Sequence, residues 1–263
     1  MPKFSANLTM MFNEVDFPGR FERASRAGFK GVEYLFPYEW KKELLAEQLD
    51  KYKLEQVLHN LPAGDWVAGD RGVACSPQRM GEFQEGVGLA IDYAKALKCS
   101  RLNCLVGLTP EGISAERVRQ TLVDNLRFAA TALGKEDIRL LVEPLNDQDI
   151  PGFYLVHTRD ALQLLEEVKH PNLWLQYDIY HMQIMEGNLT RTILDNLGRI
   201  AHIQLADNPG RHEPGTGEIN YANLFRFIDE AGYDGWIGCE YKPAGATEDG
   251  LEWIKSYFEK GGK

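Results

Sequence analysis

The chain has 263 residues, 44% of them apolar, and its 39 acidic against 29 basic side chains give a formal charge of −10. That is enough material for one large core, so a single domain over residues 1–263 is expected. No stretch gathers the Lys and Arg that would neutralise a row of phosphates, and no apolar run approaches the roughly 20 residues a bilayer requires, so neither nucleic acid nor membrane is expected as a partner.

No opening segment has the layout of a signal peptide, which points to a cytoplasmic protein. Cys75, Cys99, Cys104 and Cys239 match no zinc spacing and read as reduced, mostly buried side chains. From the first residues onward, short β-rich runs alternate with helical periodicity. The predicted strands cover 3–8, 31–34, 54–59, 101–106, 138–142, 173–177, 200–205 and 236–239.

Between them, Met80, Phe83, Val87, Ile91, Ala94 and Leu97 recur at three- and four-residue intervals, as do Val118, Leu122, Leu126, Ala129 and Leu133. Tyr221, Leu224, Phe225 and Ile228 form a third such stripe, with Asn220 placed to cap it and Gly232 to stop it. Ala27-Gly28-Phe29 and Ala231-Gly232-Tyr233 each end a helix just before a strand, as the return leg of a βα repeat does. Eight βα units in a chain of about 260 residues fit an α/β fold of the closed (β/α)₈ TIM-barrel kind better than an open doubly wound sheet. No G-x-G-x-x-G follows the first strand and no P-loop is present, so no nucleotide cofactor is expected.

In such barrels the active site lies at the C-terminal ends of the strands, where polar residues that close an apolar run carry the chemistry. Glu143, Asp178, Gln204 and Glu240 all do so. Taken singly, each is as readily a helix cap or a partner for Lys or Arg. Together, three carboxylates and an amide in one mouth repel unless a cation lies between them or a proton stays on one. An all-oxygen set favours a hard divalent ion such as Mg²⁺ or Mn²⁺ over zinc. Paired glutamates also suit proton shuttling between neighbouring carbons, so Glu143 and Glu240 are the expected acid and base.

Other polar residues fall at the same mouth. His181 and Arg211 are expected to contact substrate, Arg211 because its fork geometry suits a carboxylate. His59, Lys242 and Trp66 are weighed as further contacts, Trp66 as part of a lid over residues 60–66. For His59 and Trp66 a packed ring is an equally good account, and for Lys242 an ordinary residue outside the site is the better one.

The runs His59-Asn-Leu-Pro-Ala-Gly-Asp-Trp66, Glu143-Pro-Leu-Asn146, Gln176-Tyr-Asp-Ile-Tyr-His-Met182, Glu213-Pro-Gly-Thr-Gly-Glu-Ile-Asn220 and Gly238-Cys-Glu-Tyr-Lys-Pro243 closely resemble hydroxypyruvate isomerases, from residue 4 to about residue 253. These enzymes are xylose-isomerase-like barrels, a group that also holds sugar epimerases and an endonuclease branch. The resemblance implies interconversion of hydroxypyruvate and tartronate semialdehyde, with Glu143 and Glu240 moving the proton and a metal held by Glu143, Asp178, Gln204 and Glu240. It also makes Asp178-x-x-His181 the superfamily element whose His touches substrate. One departure concerns Gln204, where many sugar epimerases carry His. A sister branch acts on 2-oxo-tetronate, one carbon longer, and the loop 59–66 tilts the reading toward hydroxypyruvate. A metal-dependent phosphodiesterase would need a multi-histidine cluster and a basic surface, and a non-catalytic binding barrel would have little use for the paired glutamates. Barrels often pair through helices and loops, so a homo-oligomer is compatible with this reading.

Overall fold

The computed structural model describes residues 1–260. Eight parallel strands, β1 (Lys3–Asn7), β2 (Gly31–Glu33), β3 (Glu55–Asn60), β4 (Arg101–Cys104), β5 (Arg139–Val142), β6 (Leu173–Asp178), β7 (Ile200–Leu205) and β8 (Trp236–Cys239), pair in chain order and close through β8 against β1. Around the barrel lie helices α1 (Phe17–Arg26), α2 (Lys42–Tyr52), α3 (Met80–Leu97), α4 (Ala115–Gly134), α5 (Thr158–Val168), α6 (Ile179–Met185), α7 (Leu189–Asn196), α8 (Tyr221–Glu230) and α9 (Glu252–Lys260). No helix among the described residues is long and apolar enough to cross a membrane.

The helical stripes read from the sequence are packing faces. Phe83, Val87, Ala94 and Leu97 of α3 and Val118, Leu122, Leu126, Ala129 and Leu133 of α4 are buried against the barrel, removing apolar surface from water on every turn. The Asn220 side chain accepts from the Asn223 backbone N–H and so caps α8, while Gly232 follows its end with φ 80°. All four cysteines are free and buried.

Inside the barrel, alternation along each strand decides what fills the space. Val57, Leu141 and Trp236 form an apolar plug toward the N-terminal ends, against which Gly31 leaves room: a Cβ there would lie 2.8 Å from Val57 and 2.9 Å from Trp236. Toward the C-terminal ends the lining turns polar, with Ser5, Asn7, Glu33, Asn103, Gln176, Asp178, His202 and Gln204 all buried. The barrel therefore carries a polar mouth on an apolar base. β3 runs one residue further than the sequence suggested and ends at Asn60, whose amide oxygen accepts from Asn103 of the neighbouring β4 at 3.2 Å.

Candidate active site

Glu143 follows β5, Asp178 ends β6, Glu240 follows β8, and His181 sits in the first turn of α6. The four are buried, and each offers a donor atom within 4.8 Å of the others. The local sequence explains the Asp178–His181 pair. Asp178 Oδ1 caps α6 by accepting from the backbone N–H groups of Tyr180 at 2.7 Å and His181 at 3.4 Å, which turns its Oδ2 toward the barrel mouth.

Glu143 and Asp178 are each held from one side only, Glu240 from both. Asn103 Nδ2 donates to Glu143 Oε2 at 2.9 Å, whereas Glu143 Oε1 and Asp178 Oδ2 are buried with no hydrogen-bond partner. Asn7 Nδ2 donates to Glu240 Oε1 at 3.2 Å, and Arg211 Nη2 donates to Glu240 Oε2 at 2.6 Å. The same Arg211 nitrogen lies 3.8 Å from Asp178 Oδ2, its guanidinium covers the Tyr180 ring at 4.9 Å, and its Nε is buried without a partner. Arg211 is carried by the loop after β7, which buried Asp207 shapes by accepting from the backbone N–H groups of Asn208, Gly215 and Ile219.

Electrostatics follow from this crowding. Burial, then Glu240 and Asp178, push the Glu143 carboxyl well above the usual carboxylate range. Burial pushes Glu240 up to about 8 against the pull of Arg211, with Asp178 and Glu33 adding to the rise. Burial also raises Asp178, again opposed by Arg211. Ionised together, the three carboxylates and Arg211 leave two negative charges uncompensated.

The orphaned oxygens of Glu143 and Asp178, with Glu240 beside them, fit a hard divalent cation, so the cluster could hold a metal ion. His181 is a poor fourth ligand despite its place in the group. Its Nδ1 accepts from the backbone N–H of Asn146 at 3.1 Å, a group that can only donate, and from Asn146 Nδ2 at 2.7 Å. The Asn146 amide is itself oriented, because its Oδ1 accepts from the N–H groups of Gln148 and Asp149. The imidazole proton therefore sits on Nε2, which faces the cluster as a donor. Burial, helped by Arg211, keeps the ring well below the usual imidazole range and hence neutral.

Gln204 lies beside Asp178 in the β6–β7 register. Its Oε1 accepts from Gln176 Nε2 at 2.6 Å and keeps a second lone pair, and its Nε2 donates to Glu33 Oε1 at 2.8 Å. The remaining sequence candidates are placed differently. His59 is fully buried with its ring edge-on to Tyr38 at 6.0 Å, on the face of β3 opposite Asn60, and burial lowers it to about 4. Trp66 is half-buried between Phe36, 5.1 Å away, and the Arg71 guanidinium, 4.2 Å from its ring. The Lys242 side chain is exposed, while its backbone N–H donates to the Arg211 carbonyl at 2.8 Å. None of these three joins the carboxylate cluster.

Sequence reasoning passed over Glu33, Asn7, Asn103, Gln176, His202 and Asn146. Glu33 carried the signal already used for the other carboxylates, a charged residue in an apolar strand-like run. Asn7, Asn103, Gln176 and His202 sit inside strands and Asn146 in the loop after β5, and only the closed barrel shows which of them meet.

A model of the xylose isomerase-like TIM barrel family matches residues 21–257. The chain is 57% identical over 257 residues to the hydroxypyruvate isomerase of Escherichia coli (strain K12), covering 98% of this chain and 100% of that one. It is 45% identical to the 2-oxo-tetronate isomerase of Pectobacterium atrosepticum, covering 99% of both. Among solved structures, one described as a family 2 AP endonuclease from Brucella melitensis superposes with a TM-score of 0.96 at 47% identity, over 98% of this chain and 99% of that one.

Proposed function

The chain belongs to the xylose isomerase-like TIM barrel family, and from that premise we propose that it is an isomerase converting hydroxypyruvate to tartronate semialdehyde and back. The observation that carries the chemistry is the pair Glu143 and Glu240, brought from β5 and β8 into one buried cluster with Asp178 and His181. The substrate choice is supported by the 57% identity to the Escherichia coli hydroxypyruvate isomerase, against 45% to a 2-oxo-tetronate isomerase.

In this reading the two glutamates divide the proton transfer. One takes the proton from C3 of hydroxypyruvate, the C3 hydroxyl proton passes to the C2 oxygen within the enediolate, and the other glutamate delivers a proton to C2 as the C3 oxygen becomes the aldehyde, the roles exchanging in reverse. Their raised pKa values suit this, because burial and like charge lift both carboxyls above the usual carboxylate range, Glu240 to about 8, so that a proton can be held as well as released. His181 Nε2–H donates to the substrate oxygen on which charge develops, and as a neutral ring it does so without giving its proton away. The free Nε–H of Arg211 takes the substrate carboxylate.

Glu143, Asp178 and Glu240, with the second lone pair of Gln204 Oε1, would hold Mg²⁺ or Mn²⁺. Such an ion, when bound, polarises the ketone and draws the substrate oxygens into place. Residues 1–263 are read as one domain, and the four buried free cysteines support a cytoplasmic location.

Purified protein is to be assayed with hydroxypyruvate and with 2-oxo-tetronate, before and after chelation. The proposal expects the higher kcat/KM with hydroxypyruvate, loss of turnover on chelation, and a folded but inactive Glu143→Gln variant. A preference for 2-oxo-tetronate would move the assignment to the sister activity, and turnover of neither acid would overturn it.

A further inference from the structure

Beneath the carboxylate cluster lies a fourth buried carboxylate that the proposed chemistry does not use. Glu33 is inaccessible to solvent, and its oxygens face four side chains. Oε2 meets Ser5 Oγ at 2.8 Å and His202 Nε2 at 2.9 Å, while Oε1 accepts from Gln204 Nε2 at 2.8 Å and from Asn7 Nδ2 at 3.3 Å. A carboxylate offers about four acceptor sites, and here each has a partner. The barrel is shaped for this group. Gly238 of β8 faces it, and a Cβ at that position would lie 2.3 Å from both Glu33 oxygens.

Two of the partners are amides near the active-site cluster: Asn7 donates to Glu240, and Gln204 lies beside Asp178 in the β6–β7 register. The Asn7 amide is oriented independently, since its Oδ1 accepts from the Thr9 backbone N–H at 3.1 Å, so its NH₂ must point inward. That NH₂ bridges Glu33 Oε1 and Glu240 Oε1. The Gln204 amide has no such backbone anchor. Turned over, it would set its carbonyl oxygen against the Glu33 oxygen, acceptor on acceptor at 2.8 Å, and its NH₂ against Gln176 Nε2, donor on donor at 2.6 Å, leaving no oxygen lone pair for the cluster. An NH₂ group cannot ligate a hard cation.

We propose that Glu33 is a positioning residue: as an acceptor-only group it fixes the Gln204 amide so that the oxygen, and not the nitrogen, serves the carboxylate cluster, and through Asn7 it holds Glu240 in register. Glu33 thereby turns an ambiguous amide into a metal donor. This role rests on the metal centre proposed above. The local charge agrees, since burial pushes the Glu33 carboxyl upward but His202, Gln204 and Ser5 outweigh it and hold it below the usual carboxylate range.

The test is Mn²⁺ affinity, read by titration calorimetry and by the electron paramagnetic resonance of free Mn²⁺, so it does not depend on turnover. The parent is expected to bind, and Glu33→Gln to bind about 10- to 100-fold more weakly, because the introduced amide lets Gln204 turn over. The double variant Glu33→Gln/Gln204→Glu keeps the net charge and lets the amide at 33 donate to the carboxylate at 204, whose second oxygen faces the cluster. It is expected to return to within about fivefold of the parent and to bind more tightly than Gln204→Glu alone, which sets two carboxylates against each other; a carboxylate at 204 that merely added a ligand would give that single variant the tighter site. Unchanged affinity in Glu33→Gln, with the parent binding, overturns the positioning role and leaves the metal centre standing. A parent that binds no Mn²⁺ overturns both. If Glu33→Gln does not fold, the double variant is compared with Gln204→Glu: tighter binding in the double supports the role, and equal or weaker binding overturns it.

Discussion

Replacing Gly238 by alanine is the sharpest structural perturbation that the site offers. The glycine lies in β8 with ordinary strand backbone, so alanine meets no conformational penalty and the cost is purely one of space. Its Cβ would stand 2.3 Å from both Glu33 oxygens and 2.5 Å from the carboxyl carbon, about 1 Å inside contact distance. Because both oxygens are approached equally, rotation of the carboxylate gives no relief, and Glu33 must withdraw from Ser5, His202 and Gln204. Overpacking of this kind costs about 1–3 kcal/mol. Weakening hydrogen bonds to a buried charge costs about 1.5–3 kcal/mol each. A loss of about 3–6 kcal/mol in unfolding free energy is therefore expected, measured by urea denaturation followed by circular dichroism. In a Glu33→Ala background the same replacement should cost less than about 1 kcal/mol, since the obstructing group is gone. Equal cost in both backgrounds, or a cost under about 1 kcal/mol in the parent, would refute the account of what Gly238 is for.

Arg211→Ala should raise KM for an acid substrate about 100-fold, as expected when one partner of a buried charge pair is removed. Unchanged KM in steady-state kinetics would refute its role with the substrate carboxylate. Metal binding should be pH-dependent with a defined sign. Glu143, Asp178 and Glu240 hold protons above the ordinary carboxylate range when folded, so the metal-free protein loses stability as pH rises from that range toward about 8. Mn²⁺ must displace those protons, so its affinity should rise between about pH 6 and 8 with proton release, seen by calorimetry in buffers of different ionisation enthalpy. Binding independent of pH and buffer would contradict it. His59→Phe should alter thermal stability and leave KM within about twofold, since the ring packs on Tyr38 and, lowered to about 4, stays neutral at working pH. A large KM effect would return His59 to the site.

The barrel was legible because each βα unit repeats two strong local signals: a short apolar run and a stripe such as Val118, Leu122 and Leu126 at helical spacing. Glu143, Asp178 and Glu240 could be read from strand ends, since in a parallel barrel all such ends open on one face. His59 shows where local reading stops. The β2–β3 ladder shifts register, pairing Val32 with Gln56 but Glu33 with Leu58, which makes Asn60 the inward side chain and turns His59 toward Tyr38, and the sequence around Leu58 does not announce the shift. Glu33 was missed because its partners stand on other strands, Ser5 and Asn7 on the neighbouring β1, and His202 and Gln204 on β7, which meets β2 only across the closed barrel. The proton position on His181 likewise depends on the Asn146 backbone, which no spacing in the chain encodes.

The most direct test of the two-glutamate account is the reaction of hydroxypyruvate in deuterium oxide, with the product examined by proton NMR at early times. Two distinct carboxyls, one taking a proton from C3 and the other supplying C2, predict tartronate semialdehyde carrying solvent deuterium at C2 from the first turnovers. Product that forms at full rate with the substrate's own hydrogen transferred to C2 and no deuterium there would contradict it.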